Sequence, residues 1–137
     1  MNVAFQNVAP GYELPPLMKW PTTRQLVMYA GASGDFYEIH YDQEFARAQG
    51  LPGVILHGAL KSAFLGQLVT DWAGADGSLR SLSVRYREMD VPGDTLTCKG
   101  VVVEKDEAAG TVRCDIWIEN GAGVKTTTGE AVVALPR

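Results

Sequence analysis

His57-Gly58-Ala59-Leu60-Lys61-Ser62-Ala63-Phe64-Leu65-Gly66-Gln67-Leu68-Val69-Thr70-Asp71-Trp72 is the stretch on which the fold turns. Leu60, Phe64, Leu65, Leu68, Val69 and Trp72 recur three and four residues apart, the period of one helix face. The spacing predicts a helix from His57 or Gly58 to about Trp72, and the width of its apolar face predicts that it is well buried. Gly58, Ser62 and Gly66, every fourth residue, form a second strip of small side chains along it. Such a strip lets something approach the helix closely, either a packed strand or partner helix or a ligand.

Beyond Gly77 the period changes from helical to alternating. Leu82, Val84 and Tyr86 point one way, and Ser81, Ser83, Arg85 and Arg87 the other, the pattern of a half-buried strand. Asp90-Val91-Pro92-Gly93-Asp94 supplies a turn, Thr95 to Glu104 a second strand, and Lys105 to Gly110 another turn. Val112, Cys114, Ile116 and Ile118 alternate along a third strand, and Asn120-Gly121-Ala122-Gly123 turns into a last one ending near Leu135. Gly100 interrupts the second strand and marks a candidate bulge. Short connections favour antiparallel pairing. The fold class is therefore α+β, a curved antiparallel sheet wrapped around one long helix, the arrangement called a hot-dog fold; pattern alone also allows an α+β layer fold with the helix elsewhere.

Upstream of the long helix the signals are shorter. Pro15, Pro16 and Pro21 bracket an extended segment around Leu17-Met18-Lys19-Trp20. Thr22 and Gln25 match a capping box for a helix to about Ala30, with Gly31 and Gly34 releasing the chain. Asp42 caps a second short helix, Gln43 to Gln49, closed by Gly50. Between these two helices lies Ser33-Gly34-Asp35-Phe36-Tyr37-Glu38-Ile39-His40-Tyr41-Asp42. A carboxylate and an imidazole on one irregular turn can share a water molecule, which acid-base chemistry on a small substrate requires.

Composition bounds the possibilities. With 137 residues, 46% hydrophobic and 20% charged, the chain suits one domain over residues 1–137 with a real core. No apolar run approaches the roughly 20 residues of a membrane helix, and Met1 to Pro10 has no basic region leading into an apolar core. A cytoplasmic protein is expected, with no membrane association. Cys98 and Cys114 read as free, buried thiols rather than a disulfide. A net charge of −4 without a basic stripe argues against nucleic acid as a partner.

Gly34-Asp35, His40, Asp42, Phe45-Ala46 and Gly50 resemble the hydratase motif of the MaoC-like dehydratase and (R)-specific enoyl-CoA hydratase family of hot-dog proteins. That motif runs Gly-Asp-x-Asn-Pro-hydrophobic-His, then an Asp two residues on and a Phe-Ala pair before a Gly. Val54-Ile55-Leu56-His57-Gly58 is similar to the family's lead into the central helix. Val84-Arg85-Tyr86 through Val91-Pro92-Gly93-Asp94-Thr95-Leu96 is similar to the strand and turn that follow it. Tyr37 and Glu38 depart from the pattern, standing where the family's Asn and Pro would be.

The resemblance implies addition of water to a trans-2-enoyl thioester of coenzyme A or an acyl carrier, giving a (3R)-hydroxyacyl thioester, and the reverse dehydration. It implies Asp35 and His40 as the catalytic pair that holds and activates the water. The thioester carbonyl becomes enolate-like in the transition state and needs a preorganised donor. The amide of Gly58, at the start of a helix, is the candidate for oxyanion and substrate binding. His57 reads as a satisfied structural histidine or a group tuning the site. No metal and no cofactor are implied, since the two histidines stand 17 positions apart in sequence without a compact ligand cluster. Arg80, Arg85, Arg87 and Lys61 are either solvated charges or contacts to coenzyme A phosphates.

Two other functions fit the same fold. A noncatalytic subunit of a heteromeric dehydratase would have no chemical need for both Asp35 and His40. A hot-dog thioesterase typically carries its acidic residue on the central helix, and Gly58 to Thr70 contains neither Asp nor Glu. A small curved sheet with one helix leaves apolar surface to cover, so a homodimer is expected, a heteromer being the alternative.

Overall fold

Thr22 opens the first helix as its spacing to Gln25 predicts: its hydroxyl accepts the Gln25 amide at 3.2 Å. In the computed structural model, which describes residues 3–137, helix α1 spans Thr23–Ser33. The sequence reading of Met1 to Pro10 therefore falls partly outside the described residues, at positions 1 and 2. Helix α1 outlasts the expected stop at Ala30 because a single glycine weakens a helix without breaking it. Gly31 stays helical, and the chain leaves at Gly34, whose φ of 77° is a left-handed C-cap. Helix α2, Gln43–Ala48, is capped by the Asp42 carboxylate, which accepts the Phe45 amide at 3.1 Å.

Helix α3, Gly58–Ala73, buries Leu60, Phe64, Leu65, Leu68, Val69 and Trp72, the face its periodicity predicts, and also Lys61. Among the described residues, five antiparallel strands form one sheet: β1 Leu17–Lys19, β2 Ser78–Tyr86, β3 Leu96–Asp106, β4 Thr111–Glu119 and β5 Lys125–Ala134. Their order is β1-β3-β4-β5-β2. Strands β2 and β3 follow each other in sequence yet are not neighbours; residues 87–95 carry the chain from one side of the β3-β4-β5 meander to the other. Leu96, Cys98, Val102, Cys114, Ile116, Ile118, Ala131 and Val133 form the inner face and join the α3 side chains in one core. This is the hot-dog arrangement.

The small-residue strip on α3 is where β2 packs. A Cβ on Gly58 would meet the Tyr86 ring at 2.9 Å, Gly66 faces Leu82, and Ser62 Oγ lies 2.6 Å from the Tyr86 hydroxyl. The register shift in β3 falls between Val102 and Glu104, not at Gly100. Gly100 instead admits the N-terminal segment: its carbonyl accepts the Leu14 amide at 2.9 Å, and a Cβ there would stand 3.1 Å from the Leu14 side chain. Cys98 and Cys114 are free and buried, and burial pushes both thiols up to about 12. Among the described residues no helix is long and apolar enough to cross a membrane.

Candidate active site

Asp35 and His40 are held by bonds that use one end of each side chain and leave the other free. The Asp35 amide donates to Ser33 Oγ at 3.2 Å, and Asp35 Oδ1 accepts the Tyr37 amide at 3.3 Å, an Asx turn that fixes the carboxylate. Oδ2 is left facing His40 Nε2 at 3.8 Å. His40 sits at the end of a single 3-10 turn, Glu38–His40, and its Nδ1 lies 2.8 Å from the Ile55 carbonyl. A carbonyl only accepts, so Nδ1 carries the proton of the neutral ring and the Nε2 lone pair points toward Asp35. A gap of 3.8 Å is too long for a direct hydrogen bond and suits one bridging water. His40 is 7% exposed, whereas the Asp35 side chain is 49% exposed, so the pair combines a sheltered imidazole with a solvated carboxylate.

Tyr37, standing where the resemblance would place Asn, packs its ring edge-on to His40 at 6.2 Å and to Phe45 at 6.0 Å. It supports the imidazole by packing alone. Glu38 is exposed and brings no third carboxylate into the pair; its carbonyl instead receives the amides of Tyr41 and Asp42.

Gly58 is the first residue of α3, with His57 as N-cap, and its amide makes no hydrogen bond among the described residues. His40, Gly58, Lys61, Tyr86 and Met89 are among the residues lining one cleft of about 330 Å³. The structure thus brings the imidazole and the helix amide to the same cleft, with Asp35 on the Nε2 side of His40. A larger depression of about 520 Å³ lies on the outer sheet face near Arg85, Asp115 and Trp117. It contains none of these groups.

His57 differs from its sequence reading. It is buried, and among the described residues neither ring nitrogen makes a hydrogen bond of normal geometry. Its ring stacks on His40 at 3.8 Å between centroids, 20° from parallel, and receives the edge of Tyr29 at 4.8 Å. Burial pushes the His57 pKa down and the neighbouring His40 adds to this, while the Asp35 carboxylate opposes it, as does a weaker polar contact with the Asp35 main chain.

The 17-residue separation also concealed a cluster. One ligand-type atom from each of Asp35, His40 and His57 lies within 4.8 Å of the others. Its geometry is poor for an ion, because each imidazole lone pair lies in its own ring plane, and two nearly parallel planes with centroids 3.8 Å apart do not share a point near both nitrogens.

Residues 10–120 match the family model described as MaoC like domain. The chain belongs to the MaoC-like domain family. This MaoC-like protein is 30% identical over 115 residues to the (R)-specific enoyl-CoA hydratase of Aeromonas caviae, covering 82% of this chain and 84% of that one. It is 29% identical over 103 residues to the 3-oxo-4,17-pregnadiene-20-carboxyl-CoA hydratase beta subunit of Mycobacterium tuberculosis, covering 75% and 80%. A match to the fatty acid synthase subunit beta of Aspergillus oryzae, 40% identical over 75 residues, spans 53% of this chain but only 4% of that protein. Among solved structures, unliganded R-hydratase PhaJ1 from Pseudomonas aeruginosa superposes with a TM-score of 0.90 at 25% identity, covering 99% of this chain and 87% of that one. The ChsH1-ChsH2 complex from Mycobacterium tuberculosis gives a chain with a TM-score of 0.85 at 25% identity, covering 93% and 98%.

Two groups beside the cleft of this MaoC-like protein make contacts that the sequence did not predict, Lys61 being neither a solvated charge nor a phosphate contact. Lys61 is not available to a phosphate, because its ammonium is buried against Asp90. The signal was a lysine among Leu60, Phe64, Leu65 and Leu68 on the buried face, which demands a buried partner. Tyr86 lies over Gly58, and nothing local to Tyr86 in sequence points to that contact.

Proposed function

We propose that this MaoC-like protein is an enoyl-thioester hydratase of (R) specificity, reversible as a 3-hydroxyacyl-thioester dehydratase. The observation that carries the reading is the free Nε2 of His40 facing Asp35 Oδ2 at 3.8 Å, on a cleft shared with the unpaired Gly58 amide. A water held between the two would give its proton to Nε2 as its oxygen bonds to the β-carbon. The π electrons move onto the thioester carbonyl, where the Gly58 amide stabilises the enolate oxygen. The Asp35 carboxylate, facing Nε2, offsets the charge of the imidazolium. That imidazolium returns a proton to the α-carbon on the face the water came from. Atoms balance: one O–H bond and the π bond between the α- and β-carbons break, one C–O and one C–H bond form, and the enzyme regains its starting state.

Coenzyme A thioesters are the proposed substrates, as the two hydratase relatives are CoA-thioester hydratases. Free thiols suit a reducing, cytoplasmic setting. Asp35→Asn and His40→Ala should each lower hydration of crotonyl-CoA by on the order of 10²-fold or more. Loss of the enoyl absorbance measures it, and near-normal turnover by either variant would sink the assignment. The absence of Asp and Glu from Gly58 to Thr70 favours hydration over thioester hydrolysis, which release of free thiol would reveal.

A second reading has its own observation. One relative is a beta subunit, one structural neighbour is a complex of two chains, and β2 ends the sheet with an edge open to pairing. The chain then works in an assembly, as a homodimer or beside a second hot-dog chain. Light scattering on the purified protein, paired with the hydration assay, separates these: activity of a homodimer alone excludes an obligatory second chain.

A further inference from the structure

Lys61 and Asp90 are 3% and 2% exposed, an ion pair sealed into the wall of the cleft. Burying two charges costs desolvation that well-packed apolar residues would avoid, so such a pair is not explained by stability. Its contacts reach three parts of the fold. Lys61 Nζ donates to Asp90 Oδ2 and to the Glu88 carbonyl, each at 3.0 Å. Thr126 Oγ1, on β5, donates to the same Oδ2 at 2.6 Å.

The connection to the chemistry runs through residues 55 and 56. The Leu56 amide donates to the Asp90 main-chain carbonyl at 2.9 Å. Its neighbour Ile55 faces the other way: its amide donates to Ile39 at 3.0 Å, and its carbonyl accepts His40 Nδ1 at 2.8 Å. Two adjacent residues are thus tied to the turn bearing His40 on one side and to Asp90 on the other. Gly58 follows two residues later, and Lys61 lies one turn into the helix that Gly58 begins.

We propose that Lys61 and Asp90, with Thr126, are positioning residues of the hydratase site. The pair fixes residues 55–58 so that His40 Nε2 and the Gly58 amide keep their relation across the cleft. This inference rests on the hydratase reading above. A small displacement of either group is costly, because reacting atoms held about 1 Å out of place lose on the order of 10²-fold in rate.

Stability and positioning can be separated by the double variant Lys61→Met/Asp90→Leu, compared with Lys61→Met and Asp90→Asn in the whole protein. Lys61→Met should lower the Tm by stranding the Asp90 charge, and the apolar double variant should recover most of that loss. In both, kcat on crotonyl-CoA should remain at least about 10-fold down while KM moves less than about 3-fold. A double variant with wild-type kcat overturns the proposal. Should the double variant not fold, Asp90→Asn, which keeps the shape, takes its place: reduced kcat supports the proposal and wild-type kcat overturns it.

A readout without turnover keeps this test apart from that of the hydratase reading. Exchange of the His40 Nδ1 proton and the Leu56 amide, followed by NMR, should accelerate about 10-fold or more when the pair is removed. Unchanged exchange overturns the positioning role. A wild-type protein that hydrates no enoyl thioester instead overturns the reading on which it rests.

Discussion

His40 has one ring nitrogen free because the other is already committed to Ile55, and Asp35 one carboxylate oxygen free of main-chain bonds because Tyr37 holds the other. Both residues were legible in sequence, since five-residue spacing on a glycine-released turn puts them on one loop. His57 was legible only as a histidine before a helix. Its stack on His40 depends on how residues 35–40 fold back over the start of α3, which no local spacing records. The missing partners of its ring nitrogens have a consequence. A buried unsatisfied polar atom costs about 1–3 kcal/mol, and phenylalanine would keep the stacked ring without that cost. His57→Phe should therefore raise the urea midpoint, by a stability gain of about 1 kcal/mol. A loss of stability would show that the nitrogens are satisfied in solution.

At the scale of elements, periodicity located α3 to within a residue and the strands to within two, because burial on one face leaves a trace every third, fourth or second position. It could not locate events that depend on contact between elements. The bulge near Val103 and the close approach at Gly100 are examples: a glycine in a strand fits either, and only the path of Leu14 distinguishes them. Gly58 is the contact with the sharpest consequence. Alanine is a better helix former by about 1 kcal/mol, but its methyl would enter the Tyr86 ring, 2.9 Å from Cζ. Overpacking of that kind costs about 1–3 kcal/mol. Gly58→Ala should displace Tyr86 and its bond to Ser62, lowering stability modestly and hydration strongly, although the Gly58 amide itself is retained. Double substitution with Tyr86→Leu, which removes the ring, should restore stability in thermal unfolding. Additive losses in that cycle would exclude the clash.

For the whole molecule, the sequence could specify a helix wrapped by an antiparallel sheet but not the strand order, since any hairpin rule pairs β2 with β3 and the structure separates them. Global stability against pH depends on groups whose burial is a property of that complete arrangement. Between the lowered pKa of His57 and the ordinary 6.5, the unfolded chain binds a proton that the folded chain refuses. Falling pH through that window favours unfolding. The thiols act on the other limb. Their ordinary value is 9.0, and burial of Cys98 and Cys114 raises both to about 12. Between these values the unfolded chain releases protons that the folded chain keeps. Rising pH then removes stability that is fully present below 9, at up to about 1.4 kcal/mol per pH unit for each thiol. Urea midpoints should accordingly stay level from about pH 7 to 8.5 and drop by pH 10. Replacing both cysteines with alanine should flatten the alkaline limb even though it costs packing at neutral pH. An alkaline drop of unchanged size in that double variant would assign the effect to other groups.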